Sequence, residues 1–282
     1  MTELIQTNGI HLAYDDQGSG EKTLILLHGL TANRHSFDGL LRHGLANDYR
    51  VIRVDLRGRG ETDKPASGYH MRDHAADILG LIDELSLENV YFVGHSFGGL
   101  LSIYMAAYHP EAMEKIILMD VGLEATYPEV LPKIQPSLDR LGNSVPSWDI
   151  YINAIKNSPY YVDGFWDEDL EAYYRADVET LDDGAVRSRV YAGGIQEAVE
   201  HIVDDDWKVH LQAVQRPALL IHAPAPFGQA GAAPILSDEG AQETVRLLPD
   251  CQYVRVPGHH ITMVFGDNAP YVVDAIQKFV GK

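Results

Sequence analysis

The segment Val93-Gly94-His95-Ser96-Phe97-Gly98-Gly99 sets a serine between glycines at the spacing G-x-S-x-G. A short β-rich run, residues 89–93, leads into it, and a helical run, residues 100–108, leads away. A serine on so sharp a strand-to-helix turn has a strained backbone, and the strain projects its hydroxyl into a cleft with a helix N-terminus behind it. Bulky side chains two residues to either side would collide, which is why Gly94 and Gly98 suit the turn. The chemistry this permits is nucleophilic attack. A serine hydroxyl alone is a weak nucleophile, so a base must stand beside it. A serine can also do no more than cap a helix, but capping asks for no glycines at these two positions.

The elements that must carry Ser96 follow from hydrophobic periodicity. Two antiparallel strands are expected at Glu3–Thr7 and residues 10–14, turned at Asn8-Gly9. Apolar runs at Thr23–Leu27, Arg50–Val54, residues 89–93 and Lys115–Met119 alternate with helical patterns at 36–46, 70–85 and after Ser96. This alternation predicts βαβ units and a largely parallel sheet with helices on both faces. Ligand sites in such sheets lie beyond the carboxyl ends of the strands. His28, Asp55, Ser96 and Asp120 each follow such an end, so four polar side chains share one rim.

From residue 121 to 215 the alternation stops. Helical patches are expected at 148–157, 167–176 and 183–201, and all three tryptophans (Trp148, Trp166, Trp207) fall here. The stretch predicts a mostly helical lid, 121–215, inserted into a core made of 1–120 and 216–282. Strand and helix alternate again at 217–221, 238–248, 252–256 and 268–280.

Composition narrows the chemistry. A chain of 282 residues that is 45% apolar can bury one large α/β core. A net charge of −19 argues against nucleic acid and anionic membranes as partners, and disfavours long-range attraction of strongly anionic substrates. The single cysteine, Cys251, excludes an internal disulfide and suits a reducing compartment. The first residues lack a basic, apolar leader and no run is long enough to span a bilayer, so a cytoplasmic location is expected. Asp204-Asp205-Asp206 is a solvated run rather than a metal set, and neither zinc spacing nor a phosphate-binding glycine loop occurs. No metal or cofactor is expected.

Four motifs in order resemble the α/β-hydrolase superfamily over nearly the whole chain. They are Leu26-Leu27-His28-Gly29-Leu30, Asp55-Leu56-Arg57-Gly58-Arg59-Gly60, Gly94-His95-Ser96-Phe97-Gly98-Gly99 and Pro257-Gly258-His259-His260. The resemblance implies a Ser-His-acid triad. His260-Ile261-Thr262 resembles the N-H-Y-T of one subset and points to His260 as base, whereas the usual G-H spacing points to His259. Most members place the acid after the strand equivalent to 217–221, but here the loop 222–237 contains no Asp or Glu. Asp238 and Glu239 then open a helix as capping acids do. The superfamily's other position is taken by Asp120, which the resemblance therefore implies as the acid. Backbone N–H groups of Leu30 and Phe97 are the implied oxyanion donors. His28, His95, Trp148, Tyr151, Tyr160, Phe165, Trp166 and His259 are candidates to line the substrate pocket.

The expected activity is that of a serine hydrolase cleaving a small-molecule carboxylic ester or lactone through an acyl-enzyme, of the carboxylesterase or lactonase type. A serine nucleophile argues against epoxide hydrolases and haloalkane dehalogenases, which need a carboxylate. Amidases, thioesterases, carbon–carbon bond hydrolases and cofactor-free dioxygenases share the triad. A receptor that keeps the triad and signals through its lid is an alternative of another class. The sequence leaves the oligomeric state open.

Overall fold

The computed structural model describes residues 2–161, 164–228 and 231–281. The chain runs β1 (Glu3–Thr7), β2 (Ile10–Gln17), β3 (Thr23–Leu27), α1 (Asp38–Arg42), α2 (Leu45–Asp48), β4 (Arg50–Val54), α3 (Met71–Glu84), β5 (Val90–His95), α4 (Phe97–Tyr108) and β6 (Lys115–Met119). It continues through α5 (Leu131–Asp139), β7 (Ser144–Val145), α6 (Trp148–Lys156), α7 (Glu168–Asp177), β8 (Val178–Thr180), β9 (Val186–Ser188), α8 (Ala192–Asp204) and α9 (Trp207–Ala213). It closes with β10 (Ala218–His222), α10 (Asp238–Leu247), β11 (Cys251–Arg255) and α11 (Ala269–Val280).

Eight strands form one sheet in the order β1-β2-β4-β3-β5-β6-β10-β11. Only the pairings β1–β2 and β2–β4 are antiparallel. The first hairpin closes through Asn8 (φ 44°) and Gly9 (φ 78°), the left-handed pair that a two-residue hairpin turn needs. Successive residues of a strand face opposite sides of the sheet. In β3, Leu24 and Leu26 therefore feed one core, and Ile25 and Leu27 feed the other. In β6, Ile117 and Met119 oppose Ile116 and Leu118 in the same way. Both faces are apolar, so the central strands read as unbroken hydrophobic runs. Each such side chain, fully buried, contributes ~1.5–3 kcal/mol relative to exposure.

β6 and β10 are adjacent and parallel, and the residues between them leave the sheet altogether. That segment carries α5 to α9 and a three-stranded antiparallel sheet in the order β7-β9-β8. The small sheet corrects the helical expectation at 183–201, because residues 186–188 are strand. Asp183-Gly184 makes the β8–β9 turn: the Asp183 carboxylate accepts the Ala185 N–H at 3.0 Å, and Gly184 sits at φ 84°. α5 escapes periodicity because Pro132 and Pro136 interrupt it. The helix expected at 36–46 is a 3₁₀ turn (Arg34–Phe37) followed by α1 and α2, which Gly44 at φ 89° separates. Cys251 opens β11 with a half-buried thiol, which burial pushes up to about 11, as befits a packing residue.

The tightest backbone approach lies beside Ser96. A Cβ on Gly98 would stand 2.0 Å from the Leu27 carbonyl oxygen, and one on Gly94 would stand 2.3 Å from that of Gly98. At Gly29 the nearest atoms would be 3.4–3.5 Å away, an ordinary contact. Gly98→Ala is accordingly expected to cost ~2–4 kcal/mol of stability and Gly29→Ala under ~1 kcal/mol, compared by urea unfolding midpoints at constant m.

Candidate active site

Ser96 occupies φ 53°, ψ −117° at the N-terminus of α4. For a residue with a Cβ this left-handed backbone costs ~1–3 kcal/mol and persists only where packing enforces it. The enforcement comes from three bonds: Ser96 N–H to Met119 C=O at 3.1 Å, and Gly99 and Leu100 N–H to Ser96 C=O at 2.8 and 3.1 Å.

Asp120 stands beyond the end of the neighbouring strand, also left-handed at φ 49° and fully buried. Its N–H donates to Ile221 C=O at 2.7 Å. Its Oδ1 accepts the Ala223 N–H at 3.0 Å and its Oδ2 accepts His260 Nδ1–H at 2.8 Å. With Nδ1 committed to a carboxylate, Nε2 is the nitrogen left for proton transfer. His95 packs beside the His260 ring, centroids 4.7 Å apart, and donates from Nε2 to the His260 carbonyl at 2.7 Å. Burial pushes His95 down to about 3, so it remains neutral and serves as a fixed strut.

His259 and Asp238 go elsewhere. His259 Nε2–H donates to Tyr160 C=O at 3.0 Å and its Nδ1 accepts the Ile261 N–H at 3.2 Å. Asp238 lies 3.0 Å from the Arg255 guanidinium at the head of α10. His28 is fully buried; Nδ1–H donates to Gly29 C=O at 2.8 Å while Nε2 accepts the Leu56 N–H at 3.0 Å. Burial holds His28 down to about 3. It braces the loop that carries Leu30.

Phe97 is the first residue of α4, where N–H groups have no intrahelical acceptor. Leu30 and Phe97 both line the cavity that contains Ser96. One side chain holds the two together. Arg59, fully buried, donates from Nε to Leu30 C=O at 3.0 Å and from Nη1 to Arg57 C=O at 2.6 Å. Its guanidinium lies 5.0 Å from the centre of the Phe97 ring. Among the described residues no carboxylate pairs with it, and burial draws it down to about 9, still charged at neutral pH. His74 meets the same ring edge-on at 4.9 Å. The sequence offered Arg59 only as a motif residue; its contact with both Leu30 and Phe97 required the fold. The other motif charges pair conventionally: Arg57 with Asp77 at 2.5 and 2.6 Å, and Asp55 with Arg34.

The cavity measures about 120 Å³, and Ser96, His95 and His260 line it together. The aromatic side chains expected to wall it do not. Trp148, Tyr151, Tyr160, Phe165, Trp166 and His259 lie outside its lining, as does His28. Trp148 stacks on Tyr151 at 5.8 Å, while Trp166 and Tyr160 lie behind the wall, stacked on Tyr174 at 6.0 Å and on Phe227 at 4.6 Å. Phe165 lies against Gly266. Tyr173 and Tyr174 of α7, with Phe227 and Phe265, supply the aromatic wall. Position along the insertion separates them: both wall tyrosines lie on α7, whereas Trp148 and Tyr151 lie on α6 and Tyr160, Phe165 and Trp166 precede α7.

A mostly parallel sheet with a serine on a strained strand–helix turn is the architecture of α/β hydrolases, and the comparisons agree. The model of the alpha/beta hydrolase fold family matches residues 22–153. A putative non-heme chloroperoxidase of Synechocystis sp. is 30% identical over 226 residues, covering 77% of this chain and 78% of the relative. A 2-(acetamidomethylene)succinate hydrolase of Mesorhizobium japonicum is 28% identical over 261 residues, 90% of this chain and 87% of that one. The crystal structure of E-2-(acetamidomethylene)succinate hydrolase superposes with a TM-score of 0.84 at 22% identity, covering 100% of this chain and 99% of that one. The chain belongs to the α/β-hydrolase superfamily. Hydrolases of this fold act on small molecules, and among the described residues no helix is long and apolar enough to cross a membrane.

Arg59→Gln removes a charged donor from the Leu30 carbonyl. A hydrogen bond to a charged group is worth ~1.5–3 kcal/mol, so local opening at residues 29–31 should rise about tenfold or more. Amide hydrogen exchange of those residues measures it, with the β4 amides as an internal reference.

Proposed function

We propose that this protein is a serine hydrolase that cleaves a carboxylic ester or lactone through an acyl-enzyme. One observation carries the reading: the strained Ser96 shares a cavity with His260, whose Nδ1 is bound to the buried Asp120 at 2.8 Å. In this mechanism His260 Nε2 takes the Ser96 proton as Oγ attacks the carbonyl carbon. Asp120 fixes the tautomer and stabilises the imidazolium that forms. The N–H groups of Leu30 and Phe97 receive the oxyanion. The imidazolium returns its proton to the leaving oxygen, and water, activated by the same histidine, releases the acid.

A serine at the elbow supports hydrolysis over epoxide opening, which needs a carboxylate nucleophile there. The 28% identical relative bears the name of a hydrolase, which supports bond cleavage by water. The insertion 121–215 acts as the lid in this reading, closing the rim and walling the cavity with Tyr173 and Tyr174. A cytoplasmic location and the absence of a required cofactor belong to the same proposal.

A panel of esters, lactones, amides and thioesters, followed for multiple turnovers, tests it. Ser96→Ala is expected to lower kcat by about 10⁴- to 10⁶-fold and Asp120→Asn by about 10⁴-fold, whereas Asp238→Asn stays within about twofold. Wild-type rates in Ser96→Ala would remove the nucleophile. A collapse in Asp238→Asn alone would move the acid. A single turnover accompanied by melting of the insertion would favour a receptor.

A further inference from the structure

The cavity wall is largely apolar, and away from Ser96 and its histidines it carries one charged side chain. Arg140, which follows α5, lines it alongside Ser96 and His260, with a side chain only 11% exposed. A guanidinium has five N–H donors. Nη1 donates to Asp177 Oδ2 at 2.7 Å and to Ser188 Oγ at 2.9 Å, and Nη2 donates to Thr31 C=O at 2.6 Å. Among the described residues, the Nε–H and one Nη2–H have no further partner.

The arrangement has a front and a back. Arg140 and Thr31 line the cavity; Asp177, Ser188 and Tyr151 do not. Asp177 is 1% exposed, and Tyr151 Oη–H and Ser188 Oγ–H donate to its two oxygens at 2.5 and 3.2 Å. The carboxylate is thus engaged by groups outside the lining, and of the ion pair only Arg140 reaches the cavity. Burial opposes the charge on Arg140, yet Asp177 and the surrounding tyrosine hydroxyls together hold its pKa above the ordinary guanidinium value. A second polar group on the same lining is Ser36 Oγ, which is buried and has no hydrogen-bond partner among the described residues. A pre-oriented guanidinium and an unpaired hydroxyl in an otherwise apolar cavity match a planar oxyanion, which accepts two parallel N–H bonds.

Building on the serine-hydrolase reading, we propose that Arg140 determines specificity by binding a free carboxylate on the acyl part of the substrate. The substrate class is then half-esters of dicarboxylic acids, or lactones with an acid arm. Hydrolysis adds one water across the ester bond: a half-ester releases an alcohol and the dicarboxylate, and a lactone opens to a single hydroxy-dicarboxylate. The −19 net charge slows the approach of such an anion, but that repulsion is screened beyond a Debye length. Selection occurs at contact, inside the cavity.

The test compares monomethyl esters of succinic, glutaric and adipic acid with their dimethyl esters, by kcat/KM. Wild type is expected to prefer at least one half-ester by about 10-fold or more, and Arg140→Gln should cut that ratio by about 10- to 100-fold, chiefly through KM. Arg140→Lys should restore part of it. A purely structural role would lower both substrates together and leave the ratio unchanged, which overturns the proposal, as does a wild type with no preference. Should Arg140→Gln not fold, calorimetry of Ser96→Ala protein with monomethyl and dimethyl glutarate decides: equal affinity overturns the proposal, and tighter binding of the monoester upholds it. Labelling of Ser96 by a fluorophosphonate separates the two levels. An unlabelled Ser96 brings down the hydrolase reading and this proposal with it; a labelled enzyme indifferent to the carboxylate brings down this proposal alone.

Discussion

α4 lies against β3 with no side chain between their backbones. A single Cβ at Gly98 would come within 2.0 Å of the Leu27 carbonyl, so the contact exists only because glycine stands there. From it follows the left-handed backbone of Ser96, since the chain must turn within one residue from β5 into a helix pressed on the neighbouring strand. Leu27 is followed by the loop bearing Leu30, and Gly98 follows Phe97. The same contact therefore brings Leu30 and Phe97 into the cavity that holds Ser96, and Arg59 touches both from within the core.

Strand register then places a carboxylate beside His260. His95 pairs with Met119, so the next residues, Ser96 and Asp120, leave adjacent strands side by side, both left-handed. Asp120 is held from the far side by β10, through its N–H to Ile221 and its Oδ1 to the Ala223 N–H. The loop after β10 contributes a backbone donor, the Ala223 N–H. The carboxylate bonded to His260 Nδ1 thus stands between two strands, and the loop 222–237 carries no acidic residue.

Buried charge is handled in two ways around the cavity. Among the described residues Arg59 has no carboxylate partner; it is held by two carbonyls and aromatic faces, which keeps a positive charge beside Leu30 and Phe97. Arg140 has a full carboxylate partner, but one placed behind it. The first arrangement suits charge that develops only during reaction, because the cation is fixed before any anion forms. The second ties the insertion to the core through Thr31 while leaving donors at the cavity surface.

Residue type and spacing alone determined the parallel sheet, the turn at Asn8-Gly9, the elbow at Ser96 and the polar rim, since these depend on short-range sterics and on periodicities of two and 3.6 residues. The absence of Asp and Glu from 222–237 was likewise legible, and with the family resemblance it favoured Asp120 while leaving Asp238 open. What the sequence could not reveal lies where direction rather than identity matters. Tyr151 and Tyr173 belong to one aromatic-rich insertion, yet only Tyr173 lines the cavity, because helix phase and docking angle are set by packing against the core. The β7-β9-β8 sheet was signalled only by Asp183-Gly184, too weak against flanking helical patterns. Arg59 and Arg140 were charges in a string until the fold buried them, one under the Leu30 and Phe97 backbone and one in the cavity wall. Only tertiary structure decides which distant carbonyl or carboxylate a long side chain reaches, because such contacts join residues that are remote along the chain.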